Sequence, residues 1–220
     1  MYIYLDESSD SQNYVLAAVC SDSPQVFTNI VNSFRHTVRD SILSTIDKGK
    51  INNDPKERIL YRDYPQFLVK YLDIITTEKT KKGRAPRANI YTSIAYYEKK
   101  DVEMATFPEN RMLKIYEALF LEVIRNSKDN LLETHFDIIF DHFMKAKEMK
   151  SRLNITIPQQ FPNITFTLDY AEGGEKKQHL GLFVSDIIVG TCRRYIGKES
   201  RNYYPMIKRM VIGNIAKVTV

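Results

Sequence analysis

The chain contains few cysteines and no long apolar segment. Cys20 and Cys192 are its two cysteines, and their wide separation excludes the paired spacing of a zinc site. We expect both to be thiols in the core of a protein from a reducing compartment. No apolar run approaches the roughly 20 residues of a membrane span, and the opening MYIYLDESSD has acids where a signal peptide has basic residues. These absences predict a cytoplasmic protein with no membrane partner.

The motifs of several common enzyme classes are also missing. The glycine-containing stretch GGEKK at residues 173–177 lacks the spacing of a P-loop or a dinucleotide-binding loop. The G-x-S-x-G turn of serine hydrolases does not occur. These absences argue against nucleotide hydrolases and serine hydrolases. The chain also has no repeat at the spacing of solenoids or propellers.

The size and composition are those of one globular domain. The chain has 220 residues and is 43% hydrophobic, which is enough to bury a substantial core. We therefore expect a single domain over residues 1–220, with a helical and loop insertion around residues 45–87. Lysine and arginine total 32 against 27 acids, a net charge of +5. This excess permits nucleic-acid binding but does not require it.

The hydrophobic pattern predicts alternating strands and helices. Two apolar runs separated by a polar turn, residues 1–6 and 14–20, indicate a β-hairpin. Ser23-Pro24 then marks the start of a helix. A loop with a short helix is expected over residues 47–63 and a basic loop over residues 77–87. The remaining predicted elements are helix 65–76, strand 88–98, helix 109–126, strand 135–141, helix 144–153, strand 164–168 and helix 180–195. The order predicts an α/β fold with a mixed sheet flanked by helices.

Three carboxylates stand out because each interrupts strongly apolar sequence. Asp6 closes the first strand, Asp141 closes the strand HFDIIFD, and Asp186 lies inside the helix LGLFVSDIIVG. Buried carboxylates are usually hydrogen-bonded, ion-paired or bound to metal. Each also has a simpler explanation. Asp6 could begin a polar turn, Asp141 could cap the next helix, and Asp186 could share a polar stripe with Ser185 and Gly190.

Convergence of these acids is what two-metal phosphodiester hydrolysis requires. Two Mg²⁺ or Mn²⁺ ions about 3.5–4 Å apart clamp the attacking and leaving oxygens, and Mg²⁺ prefers oxygen ligands. In this interpretation Asp6 bridges the ions, while Asp141 and Asp186 each hold one. Glu7 alternates to the opposite face of the strand from Asp6. It becomes a further ligand candidate only if the strand twists or ends there.

The same segments resemble a known family. YIYLDESSD, FDIIFD and GLFVSDIIVGTCRR are similar, in order and spacing, to three motifs of the domain of unknown function (DUF) 3800 family. The resemblance implies a ribonuclease H-like fold with an acidic metal site formed by Asp6, Asp141 and Asp186, with Glu7 as a further candidate. It also implies a role in phage defence or mobile-element biology. Ser9 stands where the family usually has glycine, and Phe183 where it usually has glutamine.

Further residues are candidates for proton transfer and phosphate binding. His179 could act as a general acid or base beside the acidic site, or could be an ordinary surface histidine. Phosphate contacts are predicted for basic residues in two segments: Lys81, Lys82, Arg84 and Arg87, and then Arg193 and Arg194. The alternatives are a solvated loop for the first segment, and ion pairs or a helix C-terminus for the second. Some of the fourteen tyrosines could stack on bases.

Three functions fit these residues. The first is a metal-dependent nuclease acting on RNA or DNA. The second is a catalytically reduced module of the same fold that binds nucleic acid, a protein partner or a second copy of itself, which the changes at Ser9 and Phe183 motivate. The third is a strand-transfer enzyme of the transposase type, which would share the acidic site but would need a separate DNA-binding domain.

Overall fold

The protein alternates strands and helices along its length. The computed structural model describes residues 1–53, 55–77, 90–99, 109–131, 133–142, 145–172 and 178–220. The strands are β1 (Tyr2–Ser9), β2 (Asn13–Ser21), β3 (Tyr91–Glu98), β4 (His135–Asp141), β5 (Thr165–Ala171) and β6 (Ala216–Lys217). The helices are α1 (Pro24–Arg39), α2 (Thr45–Asn53), α3 (Glu57–Asp63), α4 (Pro65–Thr77), α5 (Glu109–Leu131), α6 (Ala146–Gln160), α7 (Gly181–Ile196) and α8 (Tyr204–Ile207).

These strands form one mixed sheet in the order β5-β4-β1-β2-β3-β6. The first three strands of the chain are an antiparallel unit, because β1 pairs with β2 and β2 with β3 in opposite directions. On its other side β1 pairs in parallel with β4, and β4 with β5. The predicted α/β class, with a mixed sheet between helices, is therefore confirmed.

Alternation along the strands sends side chains into two separate cores. On β1, Ile3 and Leu5 belong to the apolar cluster beneath α5 and α6, whereas Tyr4 belongs to the cluster beneath α1, α4 and α7. The next residue toward the α7 face is Asp6, because successive strand side chains point to opposite faces. The thiols follow the same division, with Cys20 in the α5 cluster and Cys192 in the α7 cluster. Both are free and buried, and burial raises the pKa of Cys20 to about 12.

Local signals account for several element boundaries. The helix predicted to start at Ser23-Pro24 does so: the Ser23 hydroxyl accepts a 3.3 Å hydrogen bond from the Gln25 N–H, and Pro24 occupies the first helical position. The β1–β2 turn is tied by Asp10, whose carboxylate accepts from the N–H groups of Gln12 and Asn13, both at 2.7 Å. Within the described segments, no helix has both the length and the apolar character needed to cross a membrane.

Some elements differ from the prediction. Residues 47–63, expected as a loop with a short helix, contain most of α2 and all of α3. Each contributes a fully buried residue to the α7-side core, Ile51 from α2 and Leu60 from α3, so tertiary packing overrides their weak local signals. The short strand β6, which adds to β3 at the sheet edge, and α8 were not predicted. Of the expected basic loop at residues 77–87, all but Thr77 lies outside the described residues.

The helix α7 lies directly against β1 because its first residue has no side chain. A Cβ atom placed on Gly181 would lie 2.2 Å from the Tyr4 ring. The Tyr4 ring is itself held edge-on by Phe27, with ring centroids 5.0 Å apart, so it has little room to move. Glycine at position 181 therefore sets the distance between α7 and the sheet.

We predict that Gly181→Ala destabilises the protein by about 1–3 kcal/mol, because the added methyl group must displace Tyr4 or the helix. Helix propensity alone predicts the opposite sign. Gly49→Ala in α2 is the matched control, since a Cβ there has nothing within 4 Å, and it should stabilise by about 0.5–1 kcal/mol. Urea unfolding of both variants measures the difference. Equal stabilisation by the two would show that the α7–β1 contact is looser than described.

Candidate acidic site on the α7 face of the sheet

Asp141 ends β4, whereas Asp6 lies inside β1, which was expected to close at Asp6 but continues to Ser9. Both acids point to the α7 face of the sheet. The pairing of β1 with β4 runs from Tyr2 opposite Asp137 to Leu5 opposite Phe140, and Asp6 and Asp141 are the residues that directly follow the last pair. Neighbouring strands are about 4.8 Å apart. Each carboxylate accepts a 2.9 Å hydrogen bond from the N–H of the residue after it. Asp6 is 5% exposed, whereas Asp141 is only partly buried, so one acid of the two is largely desolvated.

The helix α7 brings Asp186 to the same level as this pair. Its first residue contacts Tyr4, and just beyond its end Gly197 approaches Asp10, so α7 runs along β1 in the same direction. The six residue steps from Tyr4 to Asp10 cover about 20 Å, and the sixteen from Gly181 to Gly197 cover about 24 Å. Asp6 and Asp186 each lie about one third of the way along.

A hydrogen bond from the preceding helical residue fixes this alignment. The Ser185 hydroxyl donates to the Ala17 carbonyl at 3.1 Å, and Ala17 is the residue of β2 that pairs with Asp6. Ser185 therefore faces the sheet. The stripe proposed to hold Ser185, Asp186 and Gly190 together is divided, because Gly190 faces α3, where a Cβ would lie 2.6 Å from Glu57.

Asp186 is engaged by the start of α3. Its Oδ2 accepts a 2.7 Å hydrogen bond from the backbone N–H of Glu57. Lys56, at the N-cap position of α3, provides no side-chain capping bond, so Asp186 supplies the missing acceptor from another part of the chain. This is a structural role for the acid that the sequence singled out most clearly.

Glu57 continues this contact into a buried ion pair. Its carboxylate receives hydrogen bonds from Arg194 Nε at 2.8 Å and Nη2 at 3.4 Å, and both residues are buried. Arg194 also binds Glu199 at 2.7 Å, and its guanidinium lies 3.5 Å from the centre of the Tyr61 ring. Burial acts to lower the pKa of Arg194, but Glu57 outweighs it, so the pKa is raised. The predicted phosphate contact of Arg194 is thus replaced by contacts inside the protein.

The other candidate residues lie around the three acids. Glu7 points toward the α5 face, where its charge adds to the effect of burial in raising the pKa of Tyr116. The His179 ring lies 6.4 Å from that of Tyr4, about 7 Å short of the Asp6 level along β1. Arg193 pairs with Glu199 at 2.8 Å and approaches Asp10 at 3.5 Å. Lys81, Lys82, Arg84 and Arg87 lie outside the described residues.

The buried phenol of Tyr71, on helix α4, lies near Asp186. Tyr71 is fully buried and stacks on Phe34 with ring centroids 4.1 Å apart. Burial raises the pKa of Tyr71, the charge of Asp186 raises it further, and Arg35 opposes them. Its hydroxyl has no hydrogen-bond partner among the described residues. The phenol therefore remains protonated at all ordinary pH values and provides a neutral wall beside the acid.

The donor set partly fits a divalent cation. Asp6 and Asp141 are adjacent oxygen donors of the type Mg²⁺ prefers. Among the described residues, however, no group of three or more histidine, cysteine, aspartate or glutamate side chains could hold a metal ion. A third protein ligand would have to come from Asp186, whose Oδ2 is already bonded to the Glu57 N–H.

Sequence reasoning missed Glu57. It lies in the segment expected to be mostly loop, just after Pro55. An acid in the first turn of a helix that follows a proline is a helix-start signal. That signal could have located α3, but not the partnership of Glu57 with Arg194, 137 residues later.

Comparison of the sequence with protein families and with curated proteins finds no match for the chain. The resemblance to the DUF 3800 family therefore stays a prediction from the three motifs. The site is defined by its geometry alone: Asp6 and Asp141 on neighbouring strands, with Asp186 of α7 at the same level.

The contact between Asp186 and Glu57 yields a stability test in metal-free buffer. We predict that Asp186→Ala lowers the free energy of unfolding by about 1 kcal/mol, as expected for the loss of a helix cap. Asp186→Asn retains an acceptor for the Glu57 N–H and should lose less. Chemical unfolding in the presence of EDTA measures both. If the only effect of Asp186 without metal is charge repulsion, both variants will instead be more stable than wild type.

Proposed function

We propose that the protein is a divalent-metal-dependent nuclease that hydrolyses phosphodiester bonds of RNA or DNA at the acidic site of β1, β4 and α7. The observation that carries the proposal is the adjacency of Asp6 and Asp141, placed by the parallel register of their strands. Two neighbouring carboxylates, one of them nearly buried, repel each other unless a cation or a shared proton neutralises them.

The sheet supports a ribonuclease H-like classification. An antiparallel unit of three strands is followed, on the far side of β1, by two strands parallel to it. This arrangement is consistent with that class and brings the end of β4 beside the middle of β1. Ligand and active sites of open α/β sheets commonly lie beyond such strand ends.

The chain's own residues have defined tasks in this proposal. Asp6 and Asp141 would hold the cation, and Asp186 would contribute a carboxylate oxygen while its Oδ2 accepts the Glu57 N–H. Bound Mg²⁺ or Mn²⁺ would supply charge neutralisation at the phosphate and an activated water. Tyr71 and the apolar residues beneath α7 exclude bulk water from the inner side of the acids, which strengthens their attraction for a cation. His179 is the nearest histidine on this face to exchange a proton with the product.

One departure from the family motif does not oppose activity. Ser9 ends β1 opposite Tyr14 in regular pairing. Among the described non-glycine residues, only Lys198 has a positive φ, so a glycine at position 9 is not needed. The turn is formed instead by the carboxylate of Asp10.

A second candidate is a non-catalytic module of the same fold that binds nucleic acid or a protein partner. It is favoured by the hydrogen bond of Asp186 to Glu57, which gives this acid a structural role that needs no metal. Phe183, where the family usually has glutamine, is 3% exposed and packs in the α7-side core. A polar neighbour of the acids is thereby replaced by a core side chain.

Cleavage of end-labelled RNA and DNA with Mg²⁺ or Mn²⁺ tests the proposal. We expect Asp6→Asn and Asp141→Asn each to lower the rate at least about a hundredfold, equivalent to about 2.7 kcal/mol of barrier. Asp137→Asn is the matched control. It lies on the same strand and face, about 13 Å from Asp141, and its carboxylate binds Thr167.

The outcomes separate the two candidates. Wild-type rates in Asp6→Asn would remove the site assignment. Absence of metal-dependent cleavage by the wild type, together with retained nucleic-acid binding, would favour the non-catalytic module. A loss of activity in Asp137→Asn as large as that in Asp141→Asn would mean that the effect comes from strand stability and not from metal binding.

A further inference from the structure

A groove lined by aromatic and basic residues lies at the C-terminal end of α7, on the same face of the sheet as the acids. Its cavity is about 430 Å³ and is lined by Tyr96, Tyr195, Ile196, Lys198, Arg201 and Ile215. No acid lines it. Tyr96 and Ile215 pack against the α7-side core, which fixes this groove on the α7 face, about 14 Å along the helix from Asp186.

Tyr195 presents a supported ring to this groove. One face of the ring stacks on Tyr204, with centroids 4.0 Å apart and planes 13° from parallel. Tyr204 is buried, whereas Tyr195 is 37% exposed. A ring that is held rigidly from behind can stack on a planar ligand with little further loss of conformational entropy. Stacking of bases on such rings is the main sequence-independent contact of proteins that bind single strands.

The two cations of the groove are available to an anion. Lys198 and Arg201 are exposed and form no ion pair with any described residue. Two acids lie near these cations. Glu199 is held by Arg193 at 2.8 Å and Arg194 at 2.7 Å. Glu98 forms an ion pair with Lys217, and its pKa is lowered by Lys217 and also by Lys198. Both acids are therefore already paired, and the groove keeps a net positive charge.

The backbone at Lys198 is an outlier that favours a functional reading. Lys198 has φ of +59°, in the left-handed region that a helix C-terminus normally reserves for glycine. The hydrogen bonds of the helix end pass through this residue, with its N–H donating to Tyr195 and the N–H of Glu199 donating to Arg194. A lysine costs conformational free energy there, and a strained residue that persists next to a cavity is a reasonable sign of function.

We propose that this groove binds single-stranded nucleic acid, with a base stacked on Tyr195 and the adjoining phosphates held by Lys198 and Arg201. The inference deepens the proposed function, and rests on it for the view that the strand continues to the acids. Duplex is disfavoured as the ligand because its bases already stack on each other and leave no face for Tyr195. The binding itself requires neither metal nor cleavage.

Fluorescence anisotropy tests the proposal in EDTA, with labelled single strands of about 12 nucleotides, within the usual range of site sizes, and with the matched duplex. RNA and DNA strands form separate arms. We expect single strands to bind more tightly than duplex. Tyr195→Ala should weaken binding about tenfold or more, while Tyr195→Phe, which keeps the ring, should bind like wild type.

Lys198→Gly keeps the test independent of folding. Because glycine suits the left-handed conformation, its melting temperature should be equal to or above that of wild type. Its affinity should nevertheless fall, and the salt dependence of log K should become shallower by about 0.7. Lys128→Ala on α5 is the charge-matched control, since its ammonium pairs with Asp129 at 3.3 Å and α5 packs on the opposite face of the sheet.

Several results would contradict the proposed binding of single strands in this groove. These are equal binding of duplex and single strands, unchanged affinity in Tyr195→Ala and Lys198→Gly, or an equal loss in Lys128→Ala. Asp6→Asn in EDTA distinguishes the two proposals. If Asp6→Asn binds single strands normally and the wild type does not cleave them, only the nuclease proposal is contradicted. If the wild type cleaves and the Tyr195 and Lys198 variants bind as the wild type does, only the groove proposal is contradicted.

Discussion

The packing of α7 along β1 is the contact on which the rest of the arrangement depends. It requires the missing side chain of Gly181, which lets the helix rest on the Tyr4 ring. The Ser185 hydroxyl then reaches the carbonyl of Ala17, opposite Asp6. With the helix fixed at these two points, each position along β1 lies beside a defined position along α7. Asp186 of the helix therefore lies at the same level along β1 as Asp6 and Asp141.

The helix α7 places Asp186 between two possible partners. On one side are the carboxylates of Asp6 and Asp141, which a cation would neutralise, and on the other is the N-terminus of α3, which offers the Glu57 N–H at 2.7 Å. The helix end has a partial positive charge of its own. This positive end favours a carboxylate at the position of Asp186. Asp186 keeps a second carboxylate oxygen beside the one that accepts the Glu57 N–H, so a metal ion would share this carboxylate with the start of α3.

The two ends of α7 differ in charge character. Its first half carries Asp186 and passes Asp6 on β1, whereas the residues after its last turn include Lys198 and Arg201, with Asp10 and Glu199 both bound by arginine. A negatively charged polymer could contact the basic end directly and would need a cation at the acidic end. Such a division is useful for an enzyme that must bind a polyanion without repelling it. The buried pair of Glu57 and Arg194 lies between the two regions and fixes the helix to α3.

The sequence by itself determined the elements with strong periodicity and the faces on which their residues lie. The pattern HFDIIFD predicted β4 at its observed bounds, and alternation placed Glu7 opposite Asp6 because strand side chains repeat every two residues. Only the tertiary structure decided which strands are neighbours, and so that Asp141 lies beside Asp6. It alone revealed the contact of Glu57 with Asp186 and the left-handed Lys198. These depend on packing between distant segments, and local propensity carries no information about which distant groups will meet.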